Sequence, residues 1–121
     1  MGEVLTRLFL GGFVRMHILY HAAKGPVYGV EMMEELRRHG YEIGAGTLYP
    51  ILHQLEEVGY LASSVEVVAG KQRKYYRATP DGIDALEAAK EKLRELVAEV
   101  LDDRPPGHGS KSPPSGRRPE P

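Results

Sequence analysis

The sequence contains no cysteine and no tryptophan. Without cysteine the chain can form no disulfide, no thiolate metal site, no redox-sensing thiol and no cysteine nucleophile. Long apolar runs are also missing, because no segment approaches the roughly 20 apolar residues of a membrane-spanning helix. The first fourteen residues make a poor signal peptide, since Glu3, Arg7 and a Gly11-Gly12 pair interrupt them. These absences favour a cytoplasmic protein with no membrane partner.

The C-terminal end has few residues able to build a hydrophobic core. Residues 102–121 hold six of the nine prolines, together with glycine, serine and charged residues, and this composition predicts a disordered tail. The rest of the 121-residue chain makes one small domain. A domain of this size buries only about 60% of the surface of its unfolded chain, so we expect it to be stabilised as a homodimer.

Hydrophobic periodicity predicts a mainly α, α+β protein. The second helix is expected to direct Val30, Met33 and Leu36 inward, and Gly40 to end it. The predicted elements are helices over residues 4–23, 29–39 and 45–58, a β-hairpin over 61–78 with its turn at 69–72, and a last helix over 79–101.

Pro50 restricts where the third helix can begin, because proline lacks the N–H group that a helix interior uses. If Thr47 is the N-cap, Pro50 lies in the first turn and no hydrogen bond is lost. If the helix instead begins near Gly44, the carbonyl of Gly46 loses its partner and the first turn bends. The sequence leaves both starts open.

Two helices joined by a short turn and followed by a hairpin predict a winged helix-turn-helix over residues 1–78. The last helix would then serve dimerisation, since apolar residues recur along it at alternating steps of three and four. The first helix is apolar on two sides, so it is expected to join the same interface. The expected dimer residues are Phe9, Phe13, Leu86, Ala89, Leu93, Leu96 and Val100.

Candidate DNA-binding residues lie on the third helix and on the hairpin. The net charge is only -1, but residues 60–78 carry four basic side chains against one acidic. Such a local basic patch can attract phosphate without an overall basic protein. The hairpin therefore supplies Lys71, Arg73, Lys74 and Arg77, while the exposed face of the third helix supplies Thr47, Tyr49, Pro50, His53 and Gln54.

Several short stretches together resemble the PadR-type transcriptional regulators. The resemblance covers roughly residues 9–101 and is carried by Gly25-Pro26-Val27-Tyr28-Gly29, by Gly46-Thr47-Leu48-Tyr49-Pro50 with His53 and Glu56, by Arg73-Lys74-Tyr75-Tyr76 and by Thr79-Pro80-Asp81-Gly82. It implies a homodimeric winged-helix repressor that leaves a pseudo-palindromic operator in double-stranded DNA when a small hydrophobic or aromatic effector binds. Carried over by position, Tyr28, Thr47 and Tyr49 would contact DNA.

The single C-terminal helix resembles the short subfamily, whose members dimerise through that helix and the first one. We expect the effector pocket at this interface, because it alone can shift the two DNA-reading helices relative to each other. Two departures from the family are visible. Gly44-Ala45 replaces the Ser-Pro that often precedes Gly-Thr, and the chain lacks the tryptophans between which some short members bind flat drugs.

Two alternatives remain open. His17 and His21 are four residues apart on the first helix, which is the spacing of a two-histidine metal site and would suit a metal- or haem-responsive regulator. The fold could also be a winged-helix module that binds another protein. Catalysis is not expected: His53 with Glu56 and Glu57 has the composition of a charged helix surface, and no nucleophile elbow, P-loop or metalloprotease motif is present.

Overall fold

The computed structural model describes residues 2–102, and residues 103–121 of the predicted tail lie outside the described part. The described residues form a mixed α+β fold in which helices and one small sheet contribute to a shared core. In chain order the elements are α1 (Gly2–Lys24), β1 (Val27–Tyr28), α2 (Gly29–Arg38), α3 (Ala45–Glu57), β2 (Leu61–Val68), β3 (Lys71–Ala78), α4 (Pro80–Leu96) and a short π-helix (Val97–Leu101). The predicted winged helix-turn-helix fold is thus confirmed.

The sheet is antiparallel with strand order β1-β3-β2. β2 and β3 pair along their full length, from Leu61 opposite Ala78 to Val68 opposite Lys71. The two-residue strand β1, which the sequence did not predict, pairs Val27 with Tyr76 on the other edge of β3. Because β1 leads directly into α2, this pairing ties the start of the helix-turn-helix unit to the wing.

The hairpin turn is shorter than predicted. It contains only Ala69 and Gly70, both with positive φ of 53° and 78°. Two such residues form the type of turn whose twist matches that of the flanking strands. Lys71 and Gln72, predicted to lie in the turn, therefore belong to β3.

The start of α3 agrees with the second of the two predicted possibilities. Gly44 is the N-cap, and its carbonyl accepts hydrogen bonds from the N–H groups of Thr47 at 3.1 Å and Leu48 at 2.9 Å. Thr47 consequently lies inside the first turn and its side chain does not cap the helix. Pro50 is inside α3 and leaves the Gly46 carbonyl without a helical partner.

The core of the unit formed by residues 1–89 lies between α1, the helix-turn-helix and the sheet. Its fully buried side chains include Ile18 from α1, Met32 and Leu36 from α2, and Leu48 and Leu52 from α3. Val30, which was expected to point inward, is exposed instead. Met32 takes the inward position, so the buried face of α2 is rotated from the predicted one.

The turn between α2 and α3 begins with a Schellman motif at Gly40, whose φ is +93°. The N–H of Gly40 bonds to the Arg37 carbonyl at 2.9 Å, and the N–H of Tyr41 bonds to the Leu36 carbonyl at 3.1 Å. His39 is the residue that caps α2 just before this turn. Its backbone position is therefore fixed by the end of α2.

The start of α4 packs directly against the backbone at Tyr60. Thr79 is its N-cap: the hydroxyl accepts from the N–H of Gly82 at 3.0 Å and donates to the Gly59 carbonyl at 2.6 Å. At Gly82 the approach is so close that a Cβ atom would lie 2.1 Å from the Tyr60 carbonyl oxygen. Only glycine fits there without moving the backbone.

We therefore expect Gly82→Ala to destabilise the fold by about 3 kcal/mol or more, the upper end of the overpacking range, because the neighbouring atoms are backbone. The matched control is Gly46→Ala, also in the first turn of a helix, where a Cβ meets nothing within 4 Å. Urea unfolding at one fixed protein concentration measures both variants. Equal unfolding midpoints for Gly82→Ala and the wild type would contradict the close packing.

The unit that begins at Lys90 contains the end of α4 and the π-helix. The sequence predicted a regular helix to residue 101, but the last turn has the wider π form, and the N–H of Asp102 bonds to the Val97 carbonyl at 3.1 Å. Leu96, Val100 and Leu101 are all exposed in the single chain.

Candidate nucleic-acid interface

The polar face of α3 is exposed, as the sequence predicted. Leu48, Leu52 and Leu55 are buried on the opposite face, which fixes the rotation of the helix. The exposed residues on the polar face are Thr47, Tyr49, Pro50, His53 and Gln54.

Tyr49 connects α3 to the start of α2. Its ring lies against Gly29, where an added Cβ would come within 2.7 Å of the Tyr49 hydroxyl oxygen. The neighbouring Tyr28 precedes α2, and its backbone N–H donates to the Glu31 carboxylate at 3.0 Å. The two tyrosines are thereby brought to adjacent positions, although they are far apart in the sequence.

The wing presents one basic aromatic face. The rings of Tyr28 and Tyr75 have centroids 5.8 Å apart, and the guanidinium carbon of Arg73 lies 4.9 Å from the centroid of the Tyr28 ring. Because side chains alternate along a strand, Lys71 and Arg77 are on the same face of β3 as Arg73. This arrangement, defined by Lys71, Arg73, Arg77, Tyr28 and Tyr75, is called the outer wing face below.

Lys74 is on the other side of the strand. Its ammonium group lies 3.7 Å from the Glu56 carboxylate and 5.5 Å from the centroid of the Tyr76 ring. Ser63 also donates to Glu56, at 2.5 Å. Tyr76 is buried, and this burial raises the pKa of its hydroxyl. Lys74 therefore faces an acidic partner on α3, while Arg73 has Glu66 opposite it on β2.

Arg15 is a residue of this surface that sequence reasoning missed. Its guanidinium donates to the Gln54 amide oxygen from two nitrogens, at 3.3 and 3.2 Å, and to the Gly11 carbonyl at 2.9 Å. The contact orients Gln54 so that its amide nitrogen remains available as a donor. It also places a cation from α1 beside α3, whose own exposed face has none. No local sequence signal connects residues 39 positions apart.

His53 lies 3.7 Å from Glu57 one turn along α3, and both side chains are largely exposed. An ion pair in this setting contributes little to stability because water screens it. The pair has the character of a solvated helix surface, as the sequence indicated.

The structure brings a third histidine to His17 and His21. His39, at the end of α2, stacks on His17 with ring centroids 4.5 Å apart, and His21 lies 6.0 Å from His39. The ligand nitrogens of the three side chains all lie within 4.8 Å of one another. Burial, together with the neighbouring His39, lowers the pKa of His17; burial also lowers that of His21, although Glu35 opposes the shift.

The candidate dimer residues divide into two groups. Leu86 is only 5% exposed and belongs to the core of its own chain, so it is already covered without a partner. Phe9 is 47% exposed and contacts Phe13 with ring centroids 4.6 Å apart. Phe9 continues an exposed apolar stripe on α1 that also contains Val4, Leu5 and Leu8.

A helix-turn-helix whose second helix exposes polar residues beside a basic wing is the arrangement of winged-helix DNA-binding proteins.

Across residues 2–102, none of the helices combines the length and apolar character needed to cross a membrane.

Comparison with known proteins identifies the family. The model of the PadR-like transcriptional regulator family matches residues 18–88. The transcriptional regulator Rv3488 of Mycobacterium tuberculosis is 50% identical over 95 residues, which cover 78% of this chain and 89% of that protein. The chain therefore belongs to the PadR-like family of transcriptional regulators.

Solved structures agree with this assignment. The PadR-like regulator from Bacillus cereus superposes with a TM-score of 0.69 at 27% identity, covering 80% of this chain and 99% of that one. The PadR family regulator from Eggerthella lenta gives 0.66 at 33% identity, with coverages of 85% and 96%.

Proposed function

We propose that this regulator is a cytoplasmic homodimeric repressor that binds a pseudo-palindromic operator and is released by a small effector. The observation that carries the DNA-binding part is that α3 and the outer wing face each contact the start of α2, α3 at Gly29 and the wing at Tyr28. Tyr49 packs on Gly29, Tyr28 packs on Tyr75, and Arg73 stacks on Tyr28. A helix placed in the major groove would thus bring a cationic surface to the neighbouring phosphates.

The two parts of the surface have different chemistry. The exposed side chains of α3 are hydroxyl, amide and imidazole groups, which can hydrogen-bond base edges. The outer wing face carries guanidinium and ammonium groups, which attract phosphates regardless of sequence. We therefore assign operator preference to Thr47 and Gln54, and most of the general affinity to Lys71, Arg73 and Arg77.

The test compares binding to the DNA upstream of the chain's own gene with binding to a scrambled duplex of equal length. Gln54→Ala is expected to reduce the ratio of the two affinities by roughly 2- to 13-fold, the equivalent of about 0.5–1.5 kcal/mol for the single hydrogen bond that the free amide nitrogen can donate to a base. Binding to the scrambled duplex should change little, because the wing is intact.

Gln72→Ala is the matched control, since it removes the same amide from the wing strand. If both variants keep the wild-type ratio, Gln54 does not discriminate between bases. If the wild type binds neither duplex, the DNA-binding proposal fails and the protein-interaction alternative gains support.

We assign dimerisation to the exposed apolar stripe of α1 and to the C-terminal helix, where Ala89, Leu93 and Leu96 follow one another at steps of four and three. A stable interface of this kind needs about 1,000 Å² of buried surface in total. The effector pocket is proposed between the last helix of one chain and α1 of its partner. A small tilt there would change the separation of the two α3 helices, which must match half-sites about 34 Å apart.

A specific observation favours a metal-responsive regulator as a second candidate. The structure supplies a third histidine beside the two that the sequence singled out. The three ligand nitrogens lie within 4.8 Å of one another, so modest side-chain movements would let them share one metal ion.

A further inference from the structure

The histidine cluster contains a polar atom that the fold leaves unsatisfied. Nε2 of His21 is buried and has no hydrogen-bond partner among the described residues. The nearest acidic oxygen is that of Glu35, at 3.6 Å, which is beyond hydrogen-bond distance. Buried polar groups in native proteins are almost always paired, and an unpaired one calls for an unseen water or ion.

We propose that His17, His21 and His39 bind one divalent first-row transition-metal ion, with Glu35 at its side. Imidazole nitrogen is a ligand for zinc, copper and nickel, whereas magnesium and calcium prefer oxygen. Three histidines with one open position form a known type of zinc coordination. Water, the Glu35 carboxylate or an effector would occupy the open coordination position of the ion.

The distances allow coordination after modest side-chain movement. Ligand nitrogens around a tetrahedral zinc are about 3.3 Å apart, since each bond measures about 2.0–2.1 Å. The nitrogens here lie within 4.8 Å, so the side chains must close by up to about 1.5 Å. His39 is exposed and can make most of this movement, while α1 holds the other two one helical turn apart.

Charged side chains of both signs lie near the three imidazoles, whose neutral form is the one that binds a metal ion. Lys24 and Arg38 are nearby cations that oppose a metal ion. Glu35 offsets part of this charge, although Arg38 also pairs with it.

The position of the site gives it a regulatory consequence, which rests on the function proposed above. His17 and His21 belong to α1, and His39 precedes the turn that leads into α3. A bound ion would join α1, which carries the proposed dimer stripe, to the turn that sets the position of α3. Binding of metal could therefore change the affinity for DNA without contacting it.

The direct test is isothermal titration of Zn²⁺ into the metal-free full-length chain. The wild type is expected to bind one ion per chain, and His39→Ala to bind it at least tenfold more weakly. His108→Ala is the control, because it removes a histidine outside the described residues. Any of three results would contradict the proposed site. These are wild-type zinc affinity in His39→Ala, loss of zinc affinity in His108→Ala, and no zinc binding by the wild type.

A second measurement needs no substitution. In the ¹⁵N-labelled wild type, the imidazole nitrogens of His17, His21 and His39 should shift together when one equivalent of Zn²⁺ is added. Those of His53 and His108 should stay unchanged. A shift confined to His53 or His108 would place the ion elsewhere.

The regulatory consequence is tested by measuring operator affinity with and without Zn²⁺. Adding Zn²⁺ is expected to change the operator affinity of the wild type by 5-fold or more, within the usual range of allosteric coupling of about 5- to 150-fold. The operator affinity of His39→Ala should be the same with and without Zn²⁺. A wild-type operator affinity that is the same with and without Zn²⁺ would contradict regulation through this site. Absence of any operator binding would instead contradict the proposed function, while the titration would still decide the metal site.

Discussion

Leu93→Asp is expected to convert the proposed dimer into monomers and to weaken binding to the proposed operator by roughly 10²–10⁴-fold, the gain that two linked binding events normally provide. The physical reason is the cost of burying a carboxylate in a contact built from apolar side chains. Each monomer would retain α3 and the wing, so its fold should persist and only the second half-site would be lost. Light scattering coupled to gel filtration measures the mass, and a gel shift measures operator binding.

Lys92→Asp is the matched control for this prediction. It introduces the same carboxylate one residue away, at a side chain that is 81% exposed and paired only with Glu95 in the next turn. This variant should remain dimeric and should bind DNA like the wild type. A monomeric Leu93→Asp that still binds the operator with wild-type affinity would show that dimerisation is not needed for binding. A dimeric Leu93→Asp would place the interface elsewhere.

Local sequence patterns were sufficient for most of the fold. The apolar spacing of α1 and α3, the Thr79-Pro80 start of α4 and the basic hairpin each follow from short-range rules about periodicity, capping and strand composition. Such features depend on neighbours within one or two turns. They are therefore visible without knowledge of the tertiary structure.

The parts that were missed depend on partners distant in sequence. Strand β1 has only two residues, and it exists because Val27 meets Tyr76 across the sheet. The exposure of Val30 follows from how α2 packs on the core, which brings Met32 inward instead. Leu86 shows the same limitation, since its spacing fits a dimer seam but its burial is within the chain.

The residues of the candidate sites also divide into those that local sequence patterns reveal and those that depend on contacts distant in sequence. Exposed residues of α3 could be named from one helical face, and the wing cations from one strand. Arg15 and His39 could not be named in this way. Arg15 contacts Gln54 and His39 contacts His17, and each of these contacts joins separate helices. The pairing of Lys74 with Glu56 was equally invisible, although strand alternation already separated Lys74 from Arg73.

Replacing both arginines of the outer wing face provides the sharpest test of how this protein attracts DNA. Arg73→Ala with Arg77→Ala should weaken binding to operator and scrambled duplex alike. A dimer of this variant has four fewer cations facing phosphate, so the expected loss of affinity is on the order of 10²–10³-fold near 0.15 M salt. Both side chains share one face of β3, and Arg73 is already held over the Tyr28 ring, so little side-chain entropy is lost when phosphate binds.

The salt dependence identifies the mechanism. Each phosphate that the protein neutralises releases counterions and contributes about 0.9 to the slope of log affinity against log salt concentration. The double variant should therefore lower the magnitude of the slope by about 0.9 for every phosphate that is no longer neutralised, equally on both duplexes. Lys74→Ala should lower it less, because Lys74 is on the opposite face and pairs with Glu56.

Lys92→Ala is the control for loss of a cation outside the wing, since it removes one exposed cation from the C-terminal helix and should leave the slope unchanged. A wild-type slope in the Arg73 and Arg77 double variant would mean that the outer wing face is merely a solvated surface. A slope lowered only on the operator would mean that these arginines neutralise phosphates in the specific complex alone. In either case the general affinity would have to come from cations outside the wing, of which Arg15, beside Gln54, would be the first to test.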